Sequence, residues 1–77
     1  MTDYVPTPCA QYARYELAIL RHRRLRLLWC SGNVFHHRLV RPIDRQTREG
    51  EEFLICTGLD GDRLSIRLDQ IRKAETA

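Results

Sequence analysis

Residues 4–18, with the sequence YVPTPCAQYARYELA, pass from two prolines directly into a pattern with helical spacing. Pro6 and Pro8 favour an extended backbone, and a proline at the first position of a helix costs nothing because its missing N–H has no partner there. The stretch therefore predicts an extended arm over residues 1–8 and a helix over residues 9–21.

The predicted helix has one apolar face. Tyr12, Tyr15 and Ile19 recur at i, i+3 and i+7, so they lie on the same side and can pack on the rest of the chain. We assign Tyr15 to the core, whereas Tyr12 is left open between core and surface. Glu16 follows Tyr12 by one turn, so the two side chains share a partly exposed face. Glu16 can pair with a binding partner, contact Arg14 or stay solvated.

Apolar residues recur with a period of two from Arg24 onward, as is typical of β-strands. The predicted strands cover residues 24–30, 34–40, 53–57 and 64–69, with turns at 31–33 and 58–62. Pro42 is predicted to end the second strand. Residues 43–51 are then expected to form a loop or the exposed tip of a hairpin, and Ile71 to anchor a short last strand or turn.

Strands with apolar residues on both faces must curl to cover their own core in so short a chain. The fold class that follows is α+β and mainly β, with an N-terminal helix packed on a small antiparallel β-barrel or sandwich of about five strands. Residues 1–77 are expected to form one domain, with the barrel over residues 24–71 and a frayed tail over residues 72–77.

Charge is distributed unevenly along the chain. Residues 1–48 hold nine arginines against three acids, a net charge of +6, whereas residues 49–77 hold four basic and seven acidic residues, a net charge of −3. Such polarity suits a nucleic acid or a charged protein partner. The two halves of one small domain can equally well face each other, and the sequence leaves both interpretations open.

The cysteines indicate a reducing environment. Cys9, Cys30 and Cys56 are far apart and form no C-x-x-C pair of the kind that zinc or redox sites use. Free thiols beside apolar residues are typical of cytosolic proteins. The first residues lack the features of a signal peptide, and no apolar run approaches the ~20 residues of a membrane span. A cytoplasmic protein without membrane contact is expected.

Catalysis and metal binding are not expected. His36 and His37 are neighbours on a predicted strand, so their side chains point to opposite faces and do not readily share one ion. No arrangement of nucleophile, base and orienting acid is evident. We therefore predict no cofactor, no metal, no enzymatic activity and a monomeric state.

A group of arginines in the middle of the chain is a candidate nucleic-acid site. Its members are Arg23, Arg24, Arg26, Arg38 and Arg41. Together they can form one positive surface that contacts phosphates. The alternative is that these arginines are solvated side chains that protect a strand edge.

The chain also resembles the Rof family, also called YaeO, of small bacterial antiterminators that bind the transcription termination factor Rho. The matching residues are Tyr4, Pro6, Cys9, Tyr12, Glu16, Leu17, Ala18, Gly32, Asp44, Glu52-Phe53-Leu54 and Ile66-Arg67-Leu68-Asp69-Gln70-Ile71. They are spread over nearly the whole chain, and the resemblance lies in their order and spacing. It implies an N-terminal helix on an Sm-like β-barrel, and inhibition of Rho by occupying the region that would otherwise take up RNA.

The resemblance also implies which residues make contact. In the family an acidic helix carries the contact with Rho, and Tyr12 and Glu16 match contact positions. Ala13 and Arg14 stand where the family usually has an acidic and a polar residue, so Arg14 is interpreted as a change of specificity. Three functional hypotheses follow: a Rho-binding regulator, a small Sm-like RNA-binding module that uses the arginines, and a subunit that self-associates along its strand edges.

Overall fold

The computed structural model describes the backbone of residues 9–77 and the side chains from residue 11 onward, so the predicted arm over residues 1–8 lies outside the described residues. The elements are the helix α1 (Cys9–Leu20), the strands β1 (Leu25–Ser31), β2 (Val34–Arg48), β3 (Glu51–Gly58), β4 (Arg63–Arg67) and β5 (Ile71–Thr76), and a 3-10 helix (Leu68–Gln70) between β4 and β5. The strands form one antiparallel sheet in the order β4-β3-β2-β1-β5. The predicted fold class, a mainly β protein with one N-terminal helix packed on a small antiparallel sheet, is confirmed.

Helix α1 ends in a Schellman cap. The Arg23 N–H donates to the Ala18 carbonyl at 2.9 Å, and the His22 N–H donates to the Ile19 carbonyl at 3.3 Å. His22 has a φ of 55°, a left-handed conformation that glycine usually supplies at this position. The cap stops the helix and directs the chain into β1, within a residue of the predicted helix end.

The core lies between the helix and the inner side of the sheet. In β1 the side chains of Leu25, Leu27 and Trp29 are buried, as the alternation predicts. Tyr15 is fully buried in the same cluster, and Tyr12 packs against it while remaining partly exposed. The apolar face predicted for the helix is therefore the face that packs on the sheet.

The prediction that Pro42 ends the second strand is wrong. β2 continues to Arg48, and a register shift between Pro42 and Asp44 leaves Ile43 without a partner on β3. A bulge of this kind tolerates a proline, which has no N–H to donate, and it bends the strand. The first part of β2 therefore pairs with β1 and the second part with β3.

The predicted loop over residues 43–51 is correspondingly too long. Most of it belongs to β2, and the hairpin tip consists of Glu49 and Gly50 alone. Their φ angles are 51° and 79°, and two successive positive φ angles are the signature of the two-residue type I′ turn.

The predicted frayed tail over residues 72–77 is also wrong, because β5 pairs with β1 along its length. Ala74 lies opposite Leu27 and is only 8% exposed. A register shift between Leu28 and Trp29 brings both Ile71 and Ala74 to the inner side, although they are three residues apart. The sequence of the strand therefore shows no period of two.

The fourth strand is shorter than predicted. β4 ends at Arg67, and residues 68–70 form the 3-10 helix instead of continuing the strand. Leu68 is buried in the core cluster, and this short helix contacts both β1 and β3. It thus adds a buried leucine to the core beside β1 and β3.

Tyr15 and Cys56 place two ionisable groups in the core. Burial raises the pKa of Tyr15 to about 12 and raises the pKa of the Cys56 thiol to about 12. The buried Tyr15 hydroxyl has no hydrogen-bond partner among the described residues. An unsatisfied buried hydroxyl costs stability, and both groups keep their protons in the folded state at pH values where the unfolded chain loses them.

We predict that Tyr15→Phe raises the free energy of unfolding by about 1 kcal/mol at neutral pH, because it removes the unsatisfied hydroxyl. In the parent chain the contribution of Tyr15 and Cys56 to the free energy of unfolding should be constant from neutral pH to about pH 8 and fall toward about pH 12, since only the unfolded chain deprotonates there. Tyr15→Phe should reduce that alkaline loss. Urea unfolding measured across this pH range checks both effects, with Tyr12→Phe as the control. A Tyr15→Phe chain that is less stable at neutral pH would show that the Tyr15 hydroxyl makes a stabilising hydrogen bond, and would contradict its unsatisfied state.

Candidate nucleic-acid interface

Most of the acidic residues in the second half of the chain form ion pairs. Arg38 lies 3.2 Å from Asp62 and 3.9 Å from Asp60, and Arg45 lies 3.4 Å from Glu52. Arg67 contacts Glu51 and Asp69. The more exposed of these pairs, those of Arg38, add little stability, but all of them decide which charges remain available on the surface. The interpretation that the two charged halves face each other is correct for Arg38 and Arg45.

Arg38 is held away from the other arginines of the predicted patch. It lies opposite Leu27 on the inner side of β2, where its guanidinium also donates hydrogen bonds to the Asp62 carboxylate. A hydrogen bond with Asp60, and then Arg38, lowers the pKa of Asp62 below its ordinary value. A Cβ at Gly58 would overlap the Asp62 carboxylate and crowd the Arg38 guanidinium, so a side chain at this position would displace the ends of the pair.

The outward side of β1, of the first part of β2 and of β5 forms a surface that we call the outer face. Because Leu25, Leu27 and Trp29 point inward, the alternate residues of β1 point outward, and their partners on the neighbouring strands point to the same side. Its residues are Arg26, Leu28, Cys30, Phe35, His37, Leu39, Arg41, Lys73 and Glu75. Two arginines of the predicted patch thus lie on this face.

The outer face has an excess of positive charge. Arg26 and Arg41 have no carboxylate partner within ion-pair distance among the described residues, and Lys73 pairs with Glu75 at 3.0 Å. Lys73, and then Arg26 and His37, lower the pKa of the Glu75 carboxyl. Arg26, His37, Lys73 and Glu75 also surround a concavity of about 360 Å³. One carboxylate therefore lies among several cationic groups.

Arg24 joins the outer face through a polar cleft. Arg24 and Arg41 line a depression of about 290 Å³ together with Thr57, Gly58 and Gly61. Arg24 immediately precedes β1, so the cleft continues the row of outward residues of β1 and β2. The structure thus brings together Arg24, Arg26 and Arg41.

Arg23 lies on a different surface, a groove between α1 and the start of β1. Arg14, Arg21 and Arg23 line this groove of about 480 Å³ above an apolar floor that includes Leu17 and Ala18. The Arg14 guanidinium donates a hydrogen bond to the backbone carbonyl of Ala74 and thereby ties the helix to β5. Arg14 is therefore anchored within the molecule. Ala13 also lies in this groove.

Tyr12 and Glu16 share a third surface, which we call the helix face, with Arg45 of β2. The Arg45 guanidinium lies 4.7 Å from the centre of the Tyr12 ring and 3.0 Å from the Glu16 carboxylate. Glu16 thus pairs with Arg45, a contact that the sequence did not suggest because Arg45 falls within the predicted loop. The Glu16 side chain remains 53% exposed, and its carboxylate shares the Arg45 guanidinium with Glu52.

The described part of the chain, residues 9–77, shows neither a metal site nor a membrane-spanning helix. No group of three or more His, Cys, Asp or Glu side chains in this part of the chain is arranged to hold a metal ion. No helix in it is long and apolar enough to cross a membrane. Cys30 and Cys56 are both free thiols.

Comparison with known proteins supports the fold. Neither protein-family models nor curated proteins match this chain. A similar solved structure is that of the proteasome accessory factor B/C (PafBC) of Arthrobacter aurescens, with a TM-score of 0.80 over 99% of this chain at 20% sequence identity. This chain corresponds to 12% of the length of the PafBC chain. At this identity the similarity shows the fold alone.

We predict that Arg45→Gln lowers the free energy of unfolding by about 1 kcal/mol, because it removes the contact with the Tyr12 ring and leaves Glu16 and Glu52 without their common cation. The matched control is Arg41→Gln, which removes an arginine without a carboxylate partner and should change stability by less than about 0.5 kcal/mol. Urea unfolding at low salt compares the two. Equal effects of the two substitutions would contradict the role of Arg45.

Proposed function

We propose that this chain is a non-catalytic binding module that takes up RNA on its outer face. One observation carries the proposal: among the described residues that line the concavity of the outer face and the adjoining cleft, Arg24, Arg26, Arg41 and Lys73 are cationic and only Glu75 carries a carboxylate. Cationic side chains that lack carboxylate partners can neutralise phosphates without first breaking internal contacts.

The arrangement of the charges also suits a polyanion. Arg26 and Lys73 lie on neighbouring strands, and Arg24 and Arg41 share the cleft at the end of the same surface. The positive charge is therefore extended over several strands instead of being concentrated in one pocket. Phosphate contacts of this kind position a nucleic acid but do not read its sequence. We further propose a cytoplasmic protein, since Cys30 and Cys56 are free thiols. The monomeric state stays a prediction.

We predict that the protein binds an RNA oligonucleotide with an affinity that falls steeply as salt is raised from about 0.05 M to about 0.2 M. Arg24→Glu and Arg26→Glu should each weaken binding by about tenfold or more at low salt and reduce the salt dependence by about one released counterion. Fluorescence anisotropy measures both quantities.

The matched control is Arg21→Glu, which makes the same change of charge in the groove beside α1. It should weaken binding much less than the two outer-face substitutions. Absence of RNA binding by the parent chain at low salt would refute the proposal. Equal losses of RNA affinity from all three substitutions would show that affinity depends on net charge alone, which would contradict binding on the outer face.

A second proposed function is the regulation of Rho, which the resemblance to the Rof family implies. It is favoured by the geometry of the helix face, where Arg45 fixes the Tyr12 ring and the Glu16 carboxylate side by side while both remain accessible. Side chains held in this way lose little entropy on docking. Ala13 and Arg14 lie in the groove beside α1 and not on the helix face, so the proposed contact rests on Tyr12 and Glu16. Arg14, which is hydrogen-bonded to the Ala74 carbonyl, is proposed to change specificity from that groove.

The Rho proposal is tested with Rho from the same organism. Association in a pull-down and relief of termination in vitro are expected, and Tyr12→Ala together with Glu16→Gln should abolish both, whereas Arg24→Glu should not. No association and no relief of termination would remove this proposal and leave the first intact.

A further inference from the structure

Phe35 differs from the other aromatic residues of the described chain. The Tyr12 ring faces Arg45, the Phe53 ring faces Arg48 at 4.2 Å, and the Trp29 ring stacks on His36 with 5.1 Å between ring centres. Tyr15 is buried in the core. Among the described residues, Phe35 is the only solvent-exposed aromatic side chain without a ring or cation against its face.

The Phe35 side chain is also accessible to a ligand. It is 65% exposed, and it lies on the outer face, where its cross-strand partner is Cys30. Single exposed apolar residues are common on protein surfaces. Phe35 is notable because its exposed ring shares a face with the cationic side chains of Arg26 and Lys73.

We propose that Phe35 is a stacking position for an unpaired base, so that the ligand of the outer face is single-stranded RNA. The inference rests on the proposed RNA binding and adds the kind of RNA and the residue that distinguishes it. Proteins that bind single strands combine a positively charged surface with aromatic side chains on which bases stack. In a duplex the faces of the bases are already stacked on one another, so only a single strand can use the Phe35 ring.

The outward residues of β2 define a path for the bound RNA along the outer face. Phe35, His37, Leu39 and Arg41 follow one another on the outward side of β2, each about 7 Å from the next. A base stacked on Phe35 has the imidazole of His37 beside it as the next planar surface. The phosphates then run toward Arg26 and the far end of the row at Arg41.

The experiment compares two ligands that carry the same phosphates. Anisotropy at low salt measures binding of a labelled oligouridylate of about ten nucleotides and of an abasic oligonucleotide of equal length. Phe35→Leu keeps an apolar side chain but removes the ring, and Phe35→Trp keeps a ring. Val34→Ala is the control, because Val34 is an exposed apolar neighbour that points to the other side of β2.

Phe35→Leu should weaken binding of the oligouridylate by about tenfold or more and leave binding of the abasic strand unchanged. Phe35→Trp should retain the affinity, and Val34→Ala should have little effect. If Phe35→Leu changes neither ligand, or weakens both equally, stacking is refuted, while losses from Arg24→Glu and Arg26→Glu would still support RNA binding. If the parent chain binds neither ligand, the proposed RNA binding and the stacking position fall together.

Discussion

The burial of Leu25, Leu27 and Trp29 on the inner side of β1 is the constraint on which the outer face depends. Successive side chains of a strand point to opposite sides, so burying these three residues forces Arg26 and its outward neighbours toward solvent. A slip of one residue in the register would exchange the two sets and place an arginine in the core. The same apolar pattern that stabilises the sheet therefore determines where the cationic residues lie.

Ion pairing then determines which of these cationic residues can meet a ligand. Arg38, Arg45 and Arg67 contact carboxylates from the acidic half of the chain, and Gly58 leaves room for the pair between Arg38 and Asp62. The helix face, where Glu16 and Glu52 share Arg45, therefore has no excess of positive charge, whereas the outer face keeps one. The uneven charge of the sequence thus becomes a difference between two sides of the folded molecule.

The periodic parts of the fold could be predicted from the sequence, and the irregular parts could not. The helix and the inward residues of β1 follow from simple spacing. The bulge at Ile43 lets β2 continue beyond Pro42, and a register shift lies between Leu28 and Trp29 where β1 pairs with β5. Both irregularities interrupt the period of two, so the full extent of β2 and of β5 could not be predicted from it. Lys73 was missed as a site residue for this reason.

Errors in the predicted loop, in the sides of β2 and in the path of the chain after α1 explain which site residues were placed on the wrong surface or missed. Arg45 was missed because it fell in the predicted loop, and its contacts with Tyr12 and Glu16 join elements far apart in sequence. The position of Arg38 could have been predicted, since a separation of three residues puts Arg38 and Arg41 on opposite sides of one strand. Arg23 lies in the groove beside α1 because the Schellman cap of the helix, which periodicity does not reveal, sets the path of the chain there.

An NMR titration of the uniformly ¹⁵N-labelled protein with a single-stranded oligouridylate tests the central claim most directly. The account predicts that the amide signals of β1, of the first part of β2 and of β5 shift together as RNA is added, while those of α1 stay in place. Shifts confined to α1 and the groove beside it, with the outer face unaffected, would contradict the account.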